Sequence, residues 1–171
     1  AITTARTVRS PTTRRSEMAP NAFAGAELSI DLGAITANWR ALGARLEGGA
    51  RAGAVVKADA YGLGMAAVAP ALHDAGCGDF FTATLDEGIA LRALLAARPA
   101  GEASRIYVFL GPRPGEAAEY RRHRLSPMLN DLGQIETWRA EPGRGAAQSA
   151  VLHIDTGMSR LGLPPEEGAR L

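Results

Sequence analysis

The residue with the clearest chemical potential is Lys57, which follows the apolar run "GAVV" and opens the string "KADAYGLG" (57–64). It is the only lysine in the chain, and every other basic residue is an arginine. An arginine stays protonated in proteins, whereas a lysine at the end of a buried strand can lose its proton and act as a nucleophile or base. The sequence therefore predicts a reactive amine at position 57.

A phenol and two glycines follow Lys57 at short spacing. Tyr61 lies four residues further on, where its hydroxyl suits a phosphate oxygen, and Gly62 and Gly64 allow the backbone to come close to a ligand. A lysine can hold an aldehyde cofactor as a Schiff base, and pyridoxal phosphate is the usual one. Taken alone, the two residues also fit a plainer interpretation, in which Lys57 extends into solvent and Tyr61 covers an edge of the core.

A second candidate segment is "DTGMSR" (155–160), which follows another predicted strand. Its Arg160 has a planar donor fork that suits a carboxylate or a phenolic oxygen. The reactive residues of parallel α/β proteins gather where strands end, so we expect Lys57 and Arg160 to share a site. The strand-end segments "TLDEG" (84–88) and "GPRPG" (111–115) are weaker candidates. By itself, Arg160 could equally form a surface ion pair.

Short strand-like runs alternate with helical patterns from residue 26 onward. Strands are predicted at 27–31, 53–56, 79–84, 105–111, 125–129 and 149–157. Helices are predicted at about 32–46, 65–75, 86–97, 116–122, 132–139 and from 164 on. An apolar stripe on the first helix comprises Leu32, Ile35, Trp39, Leu42 and Leu46. Pro127 is expected to weaken the strand 125–129, and residues 141–148 are predicted to be a loop.

Five strand–helix steps from Ala54 onward indicate a parallel sheet with right-handed crossovers. A doubly wound sheet is the alternative, but no glycine-rich dinucleotide fingerprint follows the first strand. A closed barrel of eight units needs about 250 residues. The predicted fold class is α/β, a partial (β/α)8 TIM barrel of about five of the eight units, ending before the barrel closes.

Four strings resemble those of bacterial alanine racemases, in the same order along the chain. "AVVKADAYGLG" (54–64) is similar to the pyridoxal-phosphate attachment motif of that family, and "HIDTGMSRLGL" (153–163) resembles its second signature. "SIDLGAITANWRAL" (29–42) and "TLDEGIALR" (84–92) also look like that family. The resemblance covers residues 26–171, which we interpret as the N-terminal part of the barrel domain.

The resemblance implies an amino-acid racemase, an isomerase that interconverts L- and D-alanine with pyridoxal 5'-phosphate for cell-wall peptidoglycan. Lys57 would carry the cofactor and act as the base for the D-enantiomer. Tyr61 would bind the cofactor phosphate, and Arg160 would approach the cofactor's phenolic oxygen and the substrate carboxylate. The family architecture adds a C-terminal β domain and a homodimer, and a tyrosine of the partner subunit supplies the second base beyond Leu171.

One position departs from the family pattern. Where many members have a lysine that is modified to a carbamate and orients the arginine, this chain has His153. A neutral imidazole could accept a hydrogen bond from Arg160 if an acceptor nitrogen faced it. The alternative is that His153 is simply a residue of its strand.

The composition indicates which partners and which cellular compartment suit the chain. A net charge of +1 and 5% aromatic residues, with no basic stripe, argue against a nucleic-acid partner. No apolar run is long enough for a membrane span, and the single Cys77 fits the cytoplasm.

The N-terminal residues differ in composition from the rest of the chain. Residues 1–25 are predicted to be a disordered or non-native tail, because the first seventeen are rich in Arg and Thr and lack an apolar period. We expect the chain to be a fragment that is inactive and poorly folded alone. For the function, three alternatives to an alanine racemase remain open. They are a truncated fragment with no catalytic role, a racemase of broad specificity and, less favoured, an amino-acid decarboxylase of the same fold.

Overall fold

Five strands form the centre of the fold. A computed structural model describes residues 28–140 and 149–171. The strands are β1 (Ala54–Val55), β2 (Asp79–Thr82), β3 (Arg105–Val108), β4 (Leu125–Leu129) and β5 (Val151–Leu152). The helices are α1 (Leu32–Gly43), α2 (Lys57–Tyr61), α3 (Met65–Asp74), α4 (Leu85–Ala96), α5 (Ala117–Arg122), α6 (Leu132–Ala140) and α7 (Pro165–Gly168), and a 3₁₀ turn covers Gly101–Ala103.

Each strand pairs in parallel with the next strand along the chain, so the order in the sheet is β1-β2-β3-β4-β5. At least one helix lies between consecutive strands, which is the repeating unit of a (β/α)8 barrel. A doubly wound sheet reverses its strand order at a switch point, and these five strands show no reversal. The predicted parallel α/β fold with barrel-type connections is confirmed.

The core lies between one face of the sheet and the helices. Along β2, β3 and β4, buried side chains alternate with more exposed ones, as the two-residue period of a strand requires. The buried strand residues include Phe80, Thr82, Ile106, Val108, Leu125, Pro127 and Leu129. Helices α3 and α4 contribute Val68, Leu72, Leu91 and Leu95 to the same core. On the opposite face, the ring of Phe81 stacks on those of Tyr107 and Phe109.

The predicted strand at 27–31 is wrong for the part that the structure describes. Residues 28–31 form no strand, because a strand needs a neighbouring ladder and none of the five strands lies beside this segment. Asp31 instead caps α1, and its Oδ1 accepts a hydrogen bond from the Ala34 N–H at 2.9 Å.

Helix α1 is shorter than predicted and less buried. It ends at Gly43 rather than near residue 46, and Leu42 is 63% exposed. Only the first part of the predicted apolar stripe, at Leu32, Ile35 and Trp39, packs against the core.

Pro127 does not interrupt β4, although it was expected to weaken this strand. β4 pairs with both β3 and β5, and Pro127 lies in register with Val108. The missing N–H removes one possible donor from the ladder, while the proline ring is buried in the core. The apolar surface that it buries explains why the strand tolerates it.

Two predicted segments, the tail at 1–25 and the loop at 141–148, lie outside the described residues. Within the part of the chain that the structure does describe, none of the helices combines the length and the apolarity needed to cross a membrane.

Arg92 of α4 binds the backbone of the loops that precede β3 and β4. Its buried guanidinium donates hydrogen bonds of 2.8–3.2 Å to five backbone carbonyls, those of Gly101, Glu102, Ser104, His123 and Arg124. Five carbonyls are the full donor capacity of a guanidinium. Arg92 therefore satisfies polar backbone atoms that would otherwise lack a partner.

We expect Arg92→Met to lower the free energy of unfolding by about 3 kcal/mol or more, because several carbonyls lose a charged donor at once. The matched control is Arg98→Met, since Arg98 is partly exposed and pairs with Asp74 at the surface. A surface pair is worth about 0–1 kcal/mol. Urea unfolding of the three proteins measures both effects, and equal losses for the two variants would contradict the role given to Arg92.

Candidate active site

The C-terminal ends of the strands border a cavity of about 670 Å³. Lys57 and Tyr61 line it from the end of β1, and His153 and Arg160 line it from the segment after β5. Apolar side chains, among them Phe109, complete the lining. Ligand pockets typically have volumes of about 300–1,000 Å³. The structure thus brings the three predicted site residues and His153 to one ligand-sized cavity.

Helix α2, which begins at Lys57, is a turn of left-handed helix. The φ angles of Ala58, Asp59, Ala60 and Tyr61 all lie between 50° and 57°. This conformation costs roughly 1–2 kcal/mol per non-glycine residue. Residues four apart lie on the same side of such a turn, so Lys57 and Tyr61 face the cavity together. The sequence analysis did not predict this left-handed conformation.

Backbone contacts account for part of what holds this left-handed turn. The Ala60 N–H donates to the carbonyl of Val56, and the Gly62 N–H donates to that of Ala58, both at 2.9 Å. The side chain of Ala60 is buried. Gly62 ends the turn with φ 80°, where glycine is the least strained residue.

Two carboxylates hold the turn, one from within it and one from α4. Asp59 Oδ1 accepts a hydrogen bond from the Met65 N–H at 2.6 Å, which ties the turn to the start of α3. Glu87 Oε1 accepts a hydrogen bond from the Ala58 N–H at 2.8 Å, which ties it to α4. The peptide next to Lys57 is therefore fixed by a side chain from the neighbouring strand–helix unit.

The Lys57 amine lies among aromatic rings. Its Nζ is 5.9 Å from the centroid of the Tyr61 ring and 5.5 Å from that of the Phe109 ring. Both distances lie within the range of about 6 Å over which an ammonium is attracted to a ring face. The amine is thereby held at the cavity wall, beside the phenol.

Asp155 organises the loop that carries Arg160. Its Oδ1 accepts hydrogen bonds from the N–H groups of Gly157, Met158 and Ser159 at 2.9–3.1 Å. Hydrogen bonds from the backbone of Gly157 and Ser159 lower the pKa of the Asp155 carboxyl. The loop is thus built around a carboxylate whose negative charge is already bound by backbone donors.

The same loop closes back onto the end of β5. The Leu163 N–H donates to the carbonyl of His153, and the Asp155 N–H donates to the carbonyl of Leu163, both at 2.8 Å. Arg160 lies at the exposed tip between these contacts, where its Nη2 is 3.6 Å from Met158 Sδ. The closed loop determines where the guanidinium enters the cavity wall.

The charges around the cavity favour an anionic ligand. Within residues 28–140 and 149–171, neither Lys57 nor Arg160 has a carboxylate within ion-pairing distance. The surface ion pair considered for Arg160 is therefore absent from the described part of the chain. Asp155, the acid that lines the cavity, is bound by backbone N–H groups. In the same ranges no cluster of three or more metal-ligating side chains occurs.

The tautomer of His153 follows from its partner Asn130. The Nδ2 of Asn130 donates to the backbone carbonyls of Phe109 and Met128, at 2.8 and 3.1 Å. This fixes the amide so that Asn130 Oδ1 faces His153 Nδ1, 2.8 Å away. An amide oxygen only accepts, so Nδ1 of His153 carries a proton. In the neutral ring, Nε2 is then an acceptor, as an interaction with Arg160 would require. The structure contains no hydrogen bond between His153 and Arg160.

Sequence reasoning missed the residues that support the site. Glu87 belongs to the weak candidate segment 84–88, but it does not line the cavity and instead holds the backbone after Lys57. Asn130 directly follows β4, so its position at a strand end was an available signal. In the segment 111–115, Arg113 pairs with Glu116 and lies outside the cavity.

The fold and the cavity define a class: a parallel α/β barrel segment whose strand ends place a lone lysine and an arginine at one cavity. The chain belongs to the alanine racemase family, because the model of that family's N-terminal domain matches residues 30–171. This confirms the resemblance found in the four sequence strings.

Individual relatives agree with this assignment. The alanine racemase of Acidiphilium cryptum is 51% identical over 144 residues, which cover 84% of this chain and 38% of that protein. The crystal structure of alanine racemase from Bartonella henselae with covalently bound pyridoxal phosphate is 36% identical, with a TM-score of 0.66, covering 83% of this chain and 38% of that one. The crystal structure of alanine racemase from E. faecalis is 31% identical, with a TM-score of 0.71. This match covers 82% of this chain and 37% of that one. The chain thus spans less than two-fifths of the length of these relatives.

We expect His153 and His73 to adopt opposite neutral tautomers. His73 Nε2 lies 2.9 Å from the carbonyl of Pro99 and must donate, so its Nδ1 accepts from the Ser104 hydroxyl. His153 carries its proton on Nδ1 for the reason given above. Nitrogen-15 NMR of the neutral imidazole rings distinguishes the two tautomers. A proton on Nε2 of His153 would contradict the orientation of Asn130.

Proposed function

We propose that this chain provides the lysine-bearing part of the active site of a pyridoxal-phosphate-dependent alanine racemase. The observation that carries the proposal is that one cavity is lined by Lys57, Tyr61 and Arg160. The motifs that contain these residues are those through which the chain resembles its family. The activity, substrate and homodimeric assembly are proposed from the relatives, whose length exceeds that of this chain.

The residues of the cavity fit pyridoxal phosphate. The cofactor carries an aldehyde, a phosphate and a phenolic oxygen, and these call for an amine and for donors to anionic oxygens. Lys57 offers the amine, Tyr61 a phenolic O–H for the phosphate, and Arg160 a planar donor fork. The ring of Phe109 adds an apolar surface beside the amine.

Each residue would have a distinct task. When bound, pyridoxal phosphate supplies an electron sink that stabilises negative charge on the α-carbon of an amino acid. Lys57 would bind the cofactor's aldehyde carbon and move a proton to or from one face of the α-carbon. Arg160 would orient the substrate carboxylate and neutralise the phenolic oxygen. Inversion needs a second base on the other face, which we propose is a tyrosine of a partner subunit.

We expect pyridoxal phosphate to attach to Lys57. Because Lys57 is the only lysine, the α-amino group is the only other primary amine and serves as an internal control. The chain is incubated with the cofactor, reduced with borohydride, digested and mapped by mass spectrometry. Labelling of Lys57 should exceed that of the α-amino group by about tenfold or more, because only Lys57 lies in a site with further cofactor-binding groups.

Two labelling results would contradict the proposal. Labelling of the α-amino group alone, or equal labelling of both amines, would show that Lys57 has no cofactor site. Lys57→Arg is the matched variant: it keeps the charge but has no primary amine, and it should lose the internal label completely.

We also expect Arg160→Lys to impair racemisation through loss of the donor fork. Kinetics are measured in a chimera in which residues 30–171 replace the matching segment of the Acidiphilium cryptum enzyme. Removal of one preorganised donor typically costs about 2–4 kcal/mol of transition-state stabilisation, so kcat/KM should fall by roughly 30- to 1,000-fold. Arg113→Lys, outside the cavity, is the control. Unchanged kcat/KM in the Arg160 variant would mean that Arg160 contacts neither cofactor nor substrate.

A further inference from the structure

Glu87 connects the site to the adjacent strand–helix unit through three backbone N–H groups. Its Oε1 accepts from the Ala58 N–H at 2.8 Å, and its Oε2 accepts from the N–H groups of Ala83 and Thr84 at 2.7 and 3.4 Å. The last contact is half of a capping box, since the Glu87 N–H donates to Thr84 Oγ1 at 3.3 Å. A capping box explains only the contact with Thr84. The contact with Ala58 is additional.

That additional contact acts on the peptide that follows Lys57. A peptide unit is planar, so fixing the direction of the Ala58 N–H also fixes the carbonyl and the ψ angle of Lys57. On the other side of Lys57, the carbonyl of Val56 accepts a hydrogen bond from the Ala60 N–H at 2.9 Å. The backbone of Lys57 is therefore held on both sides, and the support that follows Lys57 comes from a side chain.

The left-handed turn makes this support necessary. The Ala58 N–H lies in the first turn of α2, where backbone donors have no partner within the helix. Ala58 is exposed and has positive φ, so without Glu87 its N–H would bond to water and the turn would lose one of its restraints. Each of the two oxygens of Glu87 serves a different segment, and a carboxylate offers an acceptor at both positions.

We propose that Glu87 is a positioning residue for Lys57, which fixes the amine in the orientation that reacts with the cofactor aldehyde. The proposal rests on the function proposed above for Lys57. It assigns to Glu87 a role in the site beyond that of a helix cap, although Glu87 does not line the cavity. It requires that the Ala58 hydrogen bond exist in solution and that its loss impair the reaction of Lys57.

Two variants separate the roles of Glu87. Glu87→Gln has the same shape, but one oxygen becomes an amide N–H₂ that cannot accept and the other loses its charge, so the Ala58 contact is either lost or reduced to a neutral hydrogen bond. Thr84→Ala removes the other half of the capping box and leaves the contact with Ala58 in place. Both variants weaken the start of α4, but only the first touches the peptide after Lys57.

The first measurement is amide hydrogen exchange of the full chain without cofactor. We expect the Ala58 N–H to be protected in the wild type and in Thr84→Ala. In Glu87→Gln it should exchange at least about tenfold faster, as loss of a hydrogen bond to a charged acceptor implies. Free exchange of Ala58 in the wild type would overturn the proposal, and this result does not depend on whether Glu87→Gln folds.

The second measurement is the borohydride-trapping ratio of Lys57 to the α-amino group with pyridoxal phosphate. We expect this ratio to fall about tenfold or more in Glu87→Gln and to stay within about twofold of the wild type in Thr84→Ala. An unchanged ratio in Glu87→Gln, or an equal fall in both variants, would overturn the positioning role. Absence of a Lys57 label in the wild type would instead refute the proposed function, while the exchange of Ala58 would still report on the hydrogen bond.

Discussion

The left-handed turn after Lys57 is the constraint on which the site depends. Three of its residues, Ala58, Asp59 and Ala60, have left-handed φ and ψ angles, at a cost of roughly 1–2 kcal/mol each. Backbone strain of this kind persists only where surrounding contacts determine it. Here those contacts are the carboxylates of Asp59 and Glu87, the buried methyl group of Ala60 and the glycine that ends the turn. The gain is that Lys57 and Tyr61 face the same cavity with the amine beside the phenol.

The parallel sheet brings this turn to the Arg160 loop. In parallel strands connected through helices, all carboxyl ends lie at one edge, so segments far apart in sequence meet there. The supporting contacts also join neighbouring strand–helix units. Glu87 of the second unit binds the backbone after Lys57 in the first unit, and Asn130 after β4 contacts His153 after β5. Arg92 fastens the loops at the opposite end of the sheet. The edge that carries the candidate site is thus supported by side chains from neighbouring units.

The strand–helix alternation, the order of the sheet and the placement of Lys57, Tyr61 and Arg160 could be predicted from sequence, because apolar periodicity and strand-end position are local signals. What could not be predicted depended on partners distant in the chain. Residues 28–31 have the alternation of a strand but no strand beside them, and Pro127 is tolerated because the core buries its ring. The handedness of α2 is not encoded by glycine, since Ala58, Asp59 and Ala60 have positive φ, and some of the contacts that hold them come from α3 and α4. Glu87 was identifiable as a helix-start acid, but its contact with Ala58 spans two units.

The central claim is that this edge of the sheet is a pyridoxal-phosphate site centred on Lys57. A crystal structure of the protein grown with pyridoxal phosphate tests it most directly. The account predicts density continuous from Nζ of Lys57 to the cofactor ring, with the phosphate beside Tyr61, the phenolic oxygen beside Arg160 and the left-handed turn retained. Cofactor density elsewhere on the molecule, such as the cavity beside His73 and Ser104, with Lys57 unmodified, would contradict it.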